Sequence, residues 1–269
     1  MKFSFSTLGC PCWDWGDILA AARDLNYDGI EIRGVGKELY APHISYFQSP
    51  AITSTMQRLQ ALKIEISCLT SACFLFDKHN HEDMMQMGRD YIDLASRIAA
   101  PVIRVLGDVD VKPSADIDVD FVAENLKKLA QYAVGKNVIV LLETNGVFGD
   151  TKLLASVLRQ VNEPQAGVLW DVHHPYHFFG ESVEDSYTRI APYLHHLHMK
   201  DSVMENGQAM YKMMGFGDIP NDKILDLLKN DGYAGYVSLE WVKRWNKNLT
   251  EPGVVFPQFI NYVRDHIRK

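Results

Sequence analysis

The feature that most constrains this chain is a repeated alternation. Short runs of β-branched and aliphatic residues, bounded by turn residues, are separated by longer amphipathic stretches from one end to the other. Strands are expected to begin near Phe3 (FSFS), Gly29 (GIEIR), Ile64 (IEISCL), Val102 (VIRVL), Val138 (VIVLLE), Gly167 (GVLWD), Leu194 (LHHLHM) and Tyr236 (YVSLE). Helices are expected over 17–25, 83–99, 120–134, 151–161, 183–190 and 221–229. Asp17, Asp83 and Thr151 read as N-cap or first-turn residues, and Gly135 and Gly232 stand where helices should stop. The apolar runs VIVLL and AGVLW suit parallel strands buried on both faces. Eight strand-helix units predict an α/β fold, a closed (β/α)8 TIM barrel, with an open doubly wound sheet as the alternative. A barrel of this size forms one domain, so 269 residues are read as a single domain, 1–269. Neither GxGxxG after the first strand nor GxxxxGK[ST] occurs, so the usual nucleotide cradles are absent. The stretch 201–220, rich in Met and Gly, reads as the longest irregular segment, of a length typical of lids and binding loops.

Composition narrows the partners. With 27 basic and 34 acidic side chains the formal charge is −7, which gives no general attraction to phosphate backbones or anionic lipid. No apolar run approaches the ~20 residues of a membrane span, and the N-terminus enters a strand directly instead of a signal peptide. Cys10, Cys12, Cys68 and Cys73 match no structural zinc spacing and are read as reduced thiols. A cytoplasmic protein without nucleic-acid or membrane partners is expected, with a homo-oligomer left open.

In a parallel barrel the reactive groups come from the carboxyl ends of the strands. Strands five to eight end in strongly liganding side chains: Glu143, Asp171, His198 and Glu240. One acid at a strand end is commonly a cap or a solvated turn. Three carboxylates and an imidazole converging on one mouth would repel one another unless a cation neutralised them. One divalent metal ion is therefore expected; the O,O,O,N set favours Mn, Mg or Co, with Zn as an alternative.

The segments LLETN at Glu143, WDVHH at 170–174, HLHMKD at 196–201, GFGDIP at 215–220 and SLEW at Glu240 resemble the xylose isomerase-like barrels. These include sugar epimerases, isomerases, inosose dehydratases and AP endonucleases of the second type. The resemblance implies that Glu143, Asp171, His198 and Glu240 are the metal ligands, that His174 contacts substrate, and that Glu143 and Glu240 exchange protons on opposite faces of one carbon. The DNA-repair branch needs further histidine and aspartate ligands, yet the stretch before Gly215 carries Ala209 and Tyr211, and the fourth strand ends in VLGD. A metal-dependent isomerase or epimerase is expected, acting on a ketose, keto-polyol or related hydroxy-ketone through a metal-stabilised enediolate. Its partner is then a small carbohydrate or polyol. The alternative is a lyase of the inosose dehydratase type; a nuclease and a non-catalytic sugar-binding barrel rank below both.

Further substrate contacts are expected from Lys200, beside His198, and from Lys212, in the loop where the epimerases usually carry an arginine. Glu31 and Arg33 alternate out of the second strand, and Trp13 belongs to a set of loop aromatics suited to a sugar face. The absence of an arginine cluster favours an unphosphorylated substrate.

Overall fold

The computed structural model describes residues 1–268. Its strands are β1 (Lys2–Ser6), β2 (Gly29–Ile32), β3 (Glu65–Phe74), β4 (Val102–Leu106), β5 (Ile139–Glu143), β6 (Ala166–Asp171), β7 (Leu194–Met199), β8 (Asp201–Glu205), β9 (Gln208–Lys212) and β10 (Tyr236–Leu239). Its helices are α1 (Trp15–Asp24), α2 (Ala51–Leu62), α3 (His81–Arg97), α4 (Val119–Tyr132), α5 (Thr151–Val161), α6 (His173–Phe179), α7 (Val183–Ile190), α8 (Asn221–Asn230) and α9 (Pro252–Arg268). Eight strands close a barrel in the order β1-β10-β7-β6-β5-β4-β3-β2. The (β/α)8 reading therefore holds, and the open sheet is excluded. Chain contacts divide the molecule into two compact units, one comprising Met1–Ser67 with the segment from Leu197 onward, the other Cys68–His196.

In the first unit β1 lies between β10 and β2 with parallel register, Lys2 opposite Tyr236 and Ser4 opposite Gly29. Phe5 stacks on Phe256 at 4.3 Å and meets Tyr27 edge-on at 4.9 Å, so the apolar stripe of α9 seals this side of the strands. Tyr27 buries its hydroxyl by donating to the Phe256 carbonyl at 2.8 Å. Helix α1 starts in a reciprocal capping box: Asp14 accepts from the Asp17 N–H, and Asp17 answers to the Asp14 N–H. Asp14, not Asp17, is thus the N-cap. The stretch 201–220 is more ordered than its composition suggests, because β8 and β9 form an antiparallel hairpin across Asn206-Gly207. Both turn residues have positive φ, as a two-residue hairpin turn requires.

In the second unit β4 pairs with β5 (Ile103 opposite Val140) and β5 with β6 (Val140 opposite Ala166), all parallel. Cys68, Val102, Leu141 and Leu169 form a buried cluster among these strands. Helix α5 is capped by Asp150, which accepts from Lys152 and Leu153, and it stops where Asn162 turns left-handed. Thr151 is the first helical residue; its hydroxyl donates to Glu181 at 2.5 Å. Asp83 is a first-turn acid of α3. Helices α2, α6 and α9 lie outside the ranges read from periodicity. Among the described residues no helix is long and apolar enough to cross a membrane.

Candidate metal centre

In the second unit, Glu143 closes β5 and is buried. Arg104 reaches it from the neighbouring strand: in β4 it stands opposite Leu141, its Nε 3.1 Å from Glu143 Oε2, while its Nη1 donates to the Ser71 carbonyl at 2.9 Å. Asp171 closes β6 and is fully buried. Thr144 clamps its backbone in both directions, its hydroxyl donating to the Asp171 carbonyl at 2.9 Å and accepting the Asp171 N–H at 2.8 Å. The Asp171 carboxylate divides its oxygens. Oδ1 accepts the N–H of His173 at 2.9 Å, and Oδ2 faces Nε2 of His174 at 3.3 Å. The His174 ring stacks on Phe178, and its Nδ1 is buried without a hydrogen-bond partner.

In the first unit, His198 of β7 is fully buried. Its Nε2 lies 3.0 Å from Glu31 Oε2, and its Nδ1 lies 3.4 Å from Glu240 Oε1. Glu31 is a carboxylate in β2, so the tautomer assigned by this contact carries its proton on Nε2 and leaves the Nδ1 lone pair for a metal. Glu240, one residue past β10, pairs its Oε2 with the ammonium of Lys200. Lys200 is buried, and Asn221 donates to its carbonyl at 3.2 Å. His196 is buried two residues before His198 and so shares its side of β7.

Asp201 serves the loop. Its carboxylate accepts the N–H groups of Ser202, Gly215 and Gly217 at 2.9 Å and of Ile219 at 3.4 Å, which folds GFGDIP around one side chain. A Cβ on Gly217 would strike that carboxylate, so the motif needs glycine there. Burial raises the Asp201 pKa, and the four backbone donors oppose the shift without cancelling it.

Glu143, Asp171, His198 and Glu240 form a buried acidic and histidine cluster able to hold a metal ion, each offering a donor atom within 4.8 Å of the others. Arg104 pairs with Glu143 and Lys200 with Glu240, while Glu31 faces His198. Oxygen donors with one imidazole suit a hard or borderline ion. The residues present therefore fit the expected metal.

The other expected substrate residues are more scattered. Arg33 places its guanidinium 5.6 Å from the Trp245 ring, and its Nη1 donates to the Leu39 carbonyl at 3.4 Å. Trp13 packs edge-on against Phe256. Lys212, at the end of β9, lines a cavity of about 310 Å³ with Tyr211, Phe216 and Trp241. Among the loop aromatics, Trp15 is buried in helix packing against Tyr46 and Phe47, whereas Phe216 and Trp245 are exposed. Arg104 and Thr144 were not singled out from the sequence, although an arginine inside the apolar run VIRVL was a readable sign of an inward charge partner.

Residues 19–256 match the family model described as xylose isomerase-like TIM barrel. The chain belongs to that family. One relative, the fructoselysine 3-epimerase of Shigella flexneri, is 24% identical over 253 residues, 90% of each chain. The family fold recurs in solved structures of lower identity. The probable 3-DHS dehydratase AsbF of Bacillus anthracis has a TM-score of 0.79 at 18% identity, covering 100% of this chain and 99% of that one. A xylose isomerase-like TIM barrel protein of Mycobacterium smegmatis, in complex with magnesium, has a TM-score of 0.77 at 15% identity, covering 99% and 96%.

Proposed function

We propose that the protein is a divalent-metal-dependent epimerase or isomerase of a ketose, keto-polyol or related hydroxy-ketone, with Glu143, Asp171, His198 and Glu240 as metal ligands and Glu143 and Glu240 as the proton-transfer pair. The observation that carries this reading is the buried cluster of three carboxylates and one imidazole, with a donor atom of each within 4.8 Å of the others. The epimerase relative supports the carbohydrate substrate, and the magnesium complex of a family neighbour supports the ion.

When bound, the ion would supply Lewis-acid polarisation of a substrate carbonyl, which would acidify the adjacent hydroxyl-bearing carbon. The chain's own groups do the rest. Arg104 stands beside Glu143 and Lys200 beside Glu240. One glutamate, as the carboxylate, removes the proton from the substrate carbon, and the other, carrying a proton taken from solvent, delivers it to the opposite face and inverts the centre; proton exchange with solvent then restores the pair. His174 is held by Asp171 and stacked on Phe178, and its unpartnered Nδ1 is suited to a substrate oxygen.

The lyase reading is kept because the AsbF neighbour is described as a probable 3-DHS dehydratase. It starts from the same proton abstraction and then expels a β-hydroxyl. Incubating Mn-loaded protein in heavy water with ketoses, inososes and oxidised glycosides separates the two. Deuterium at one carbon with an epimeric product supports the epimerase, and elimination of water supports the lyase. A protein that takes up no divalent ion on dialysis refutes the shared metal reading.

A further inference from the structure

Arg244 lies four residues beyond Glu240, in the loop between β10 and α9. Its backbone N–H donates to the Leu8 carbonyl at 3.1 Å, and its Nη1 donates to the Gly36 carbonyl at 3.0 Å. The backbone is thus tied to the segment after β1 and the side chain to the segment after β2. Its Nε and Nη2 are shielded from water and meet no acceptor, and among the described residues no carboxylate pairs with it. Burial lowers its pKa from the ordinary arginine value, while Cys10 and Cys12 act in the opposite direction. The residue as a whole is half-buried, yet this edge of its guanidinium lies out of water.

The unpartnered atoms are not a random pair. Nε–H and Nη2–H form one straight edge of the guanidinium, the fork that engages two oxygens of a carboxylate or a phosphate side by side. The third nitrogen is already spent on Gly36, which fixes the direction of that edge. A second cation stands on the neighbouring loop, since Arg33 is held through its N–H to the Thr7 hydroxyl and sits over the exposed ring of Trp245, the residue after Arg244. An anionic group would be repelled by the carboxylates of the metal cluster but attracted here, on the same strand-end side of β10, β1 and β2.

We infer that Arg244 anchors an oxyanion, a carboxylate or phosphate borne by the substrate, so that the substrate class is a keto sugar carrying an anionic substituent. This rests on the proposed function for what is turned over, but the anion site is testable without turnover. Full-length, metal-free protein labelled with ¹⁵N is titrated with acetate in one arm and inorganic phosphate in the other, while the assigned Arg244 Nε–H resonance is followed. The expected result is a saturable movement of that resonance, in the millimolar range of a single bidentate pair, with the stronger arm naming the substituent. Arg244→Lys keeps the charge and removes the fork, so saturable binding of the same anion is lost; Arg33→Lys leaves the Arg244 response in place. A resonance that does not move in either arm, or anion binding that survives Arg244→Lys, overturns the inference, and because the wild-type titration stands alone, a variant that fails to fold does not obscure the answer. An enzyme that binds acetate at Arg244 but never exchanges substrate deuterium refutes the proposed function and leaves the anion site standing.

Discussion

At the scale of single residues, the divided histidine is the most informative group. The carboxylate of Glu31, a residue expected at the substrate, faces Nε2 of His198, whose Nδ1 lies toward Glu240. A carboxylate behind a ligating imidazole sets the tautomer and raises ligand basicity, so Glu31→Gln is expected to weaken Mn binding about 10–100-fold in a chelator competition while leaving the secondary structure unchanged. Unchanged affinity would return Glu31 to a substrate role. For the chemistry itself, Glu240→Gln is expected to slow solvent-deuterium exchange by roughly 10²-fold or more, the range of a lost general acid-base group, with the substrate still bound. Exchange at the wild-type rate would remove Glu240 from proton transfer. The strand-end positions of Glu143, Asp171, His198 and Glu240 were legible because each polar group interrupts an apolar run at the same end of its strand. Arg104 was harder to read, since its meaning depends on a neighbouring strand that sequence spacing does not reveal.

At the scale of elements, the barrel strands were legible from their period, and the miss was the hairpin. The turn Asn206-Gly207 is a strong hairpin signal, but its flanks Asp201–Glu205 and Gln208–Lys212 lack a buried face, so hydrophobic alternation gave no support. Helix boundaries drifted where the cap lay outside the apolar stripe, as with Asp14 and Asp150. Replacing Asp150 by Ala removes the acceptor for two N–H groups of α5, at an expected cost of about 1 kcal/mol measured by urea denaturation. A second element-level device joins three strand beginnings. Glu65 of β3 takes an ion pair from Lys2 of β1 and a 2.5 Å hydrogen bond from the Tyr236 hydroxyl of β10. Burial by itself pushes Glu65 up, yet the Lys2 and Tyr236 hydrogen bonds outweigh it and leave its pKa below the ordinary 4.5. A carboxylate lowered on folding adds stability above its unfolded pKa and loses it as pH falls through the lowered folded value. The urea midpoint of the wild type should therefore exceed that of Glu65→Gln near neutral pH, and the gap should close in acid below pH 4.5. A gap that widens in acid would show that the clasp does not depend on the ionised glutamate.

At the scale of the whole molecule, the proposed ion ties stability to function. Without a cation, the carboxylates of the cluster must be held ionised against one another in a buried setting, or be protonated, and either option costs free energy. An ion that binds only the folded chain adds RT ln(1 + [L]/Kd), about 2.7 kcal/mol at a hundredfold excess over Kd. Chelator-treated protein is therefore expected to melt several degrees below Mn-loaded protein, with roughly 2–4 °C for each kcal/mol in a chain of this size class. Sodium chloride at matched ionic strength should not reproduce the rise, because screening acts on exposed charges and the cluster is buried. Asp171→Asn distinguishes the cluster from a surface site, since it removes one ligand charge while an amide oxygen can still accept the His173 N–H. Its metal-dependent rise in melting temperature should shrink or vanish, and a full rise in that variant would place the stabilising ion elsewhere on the molecule.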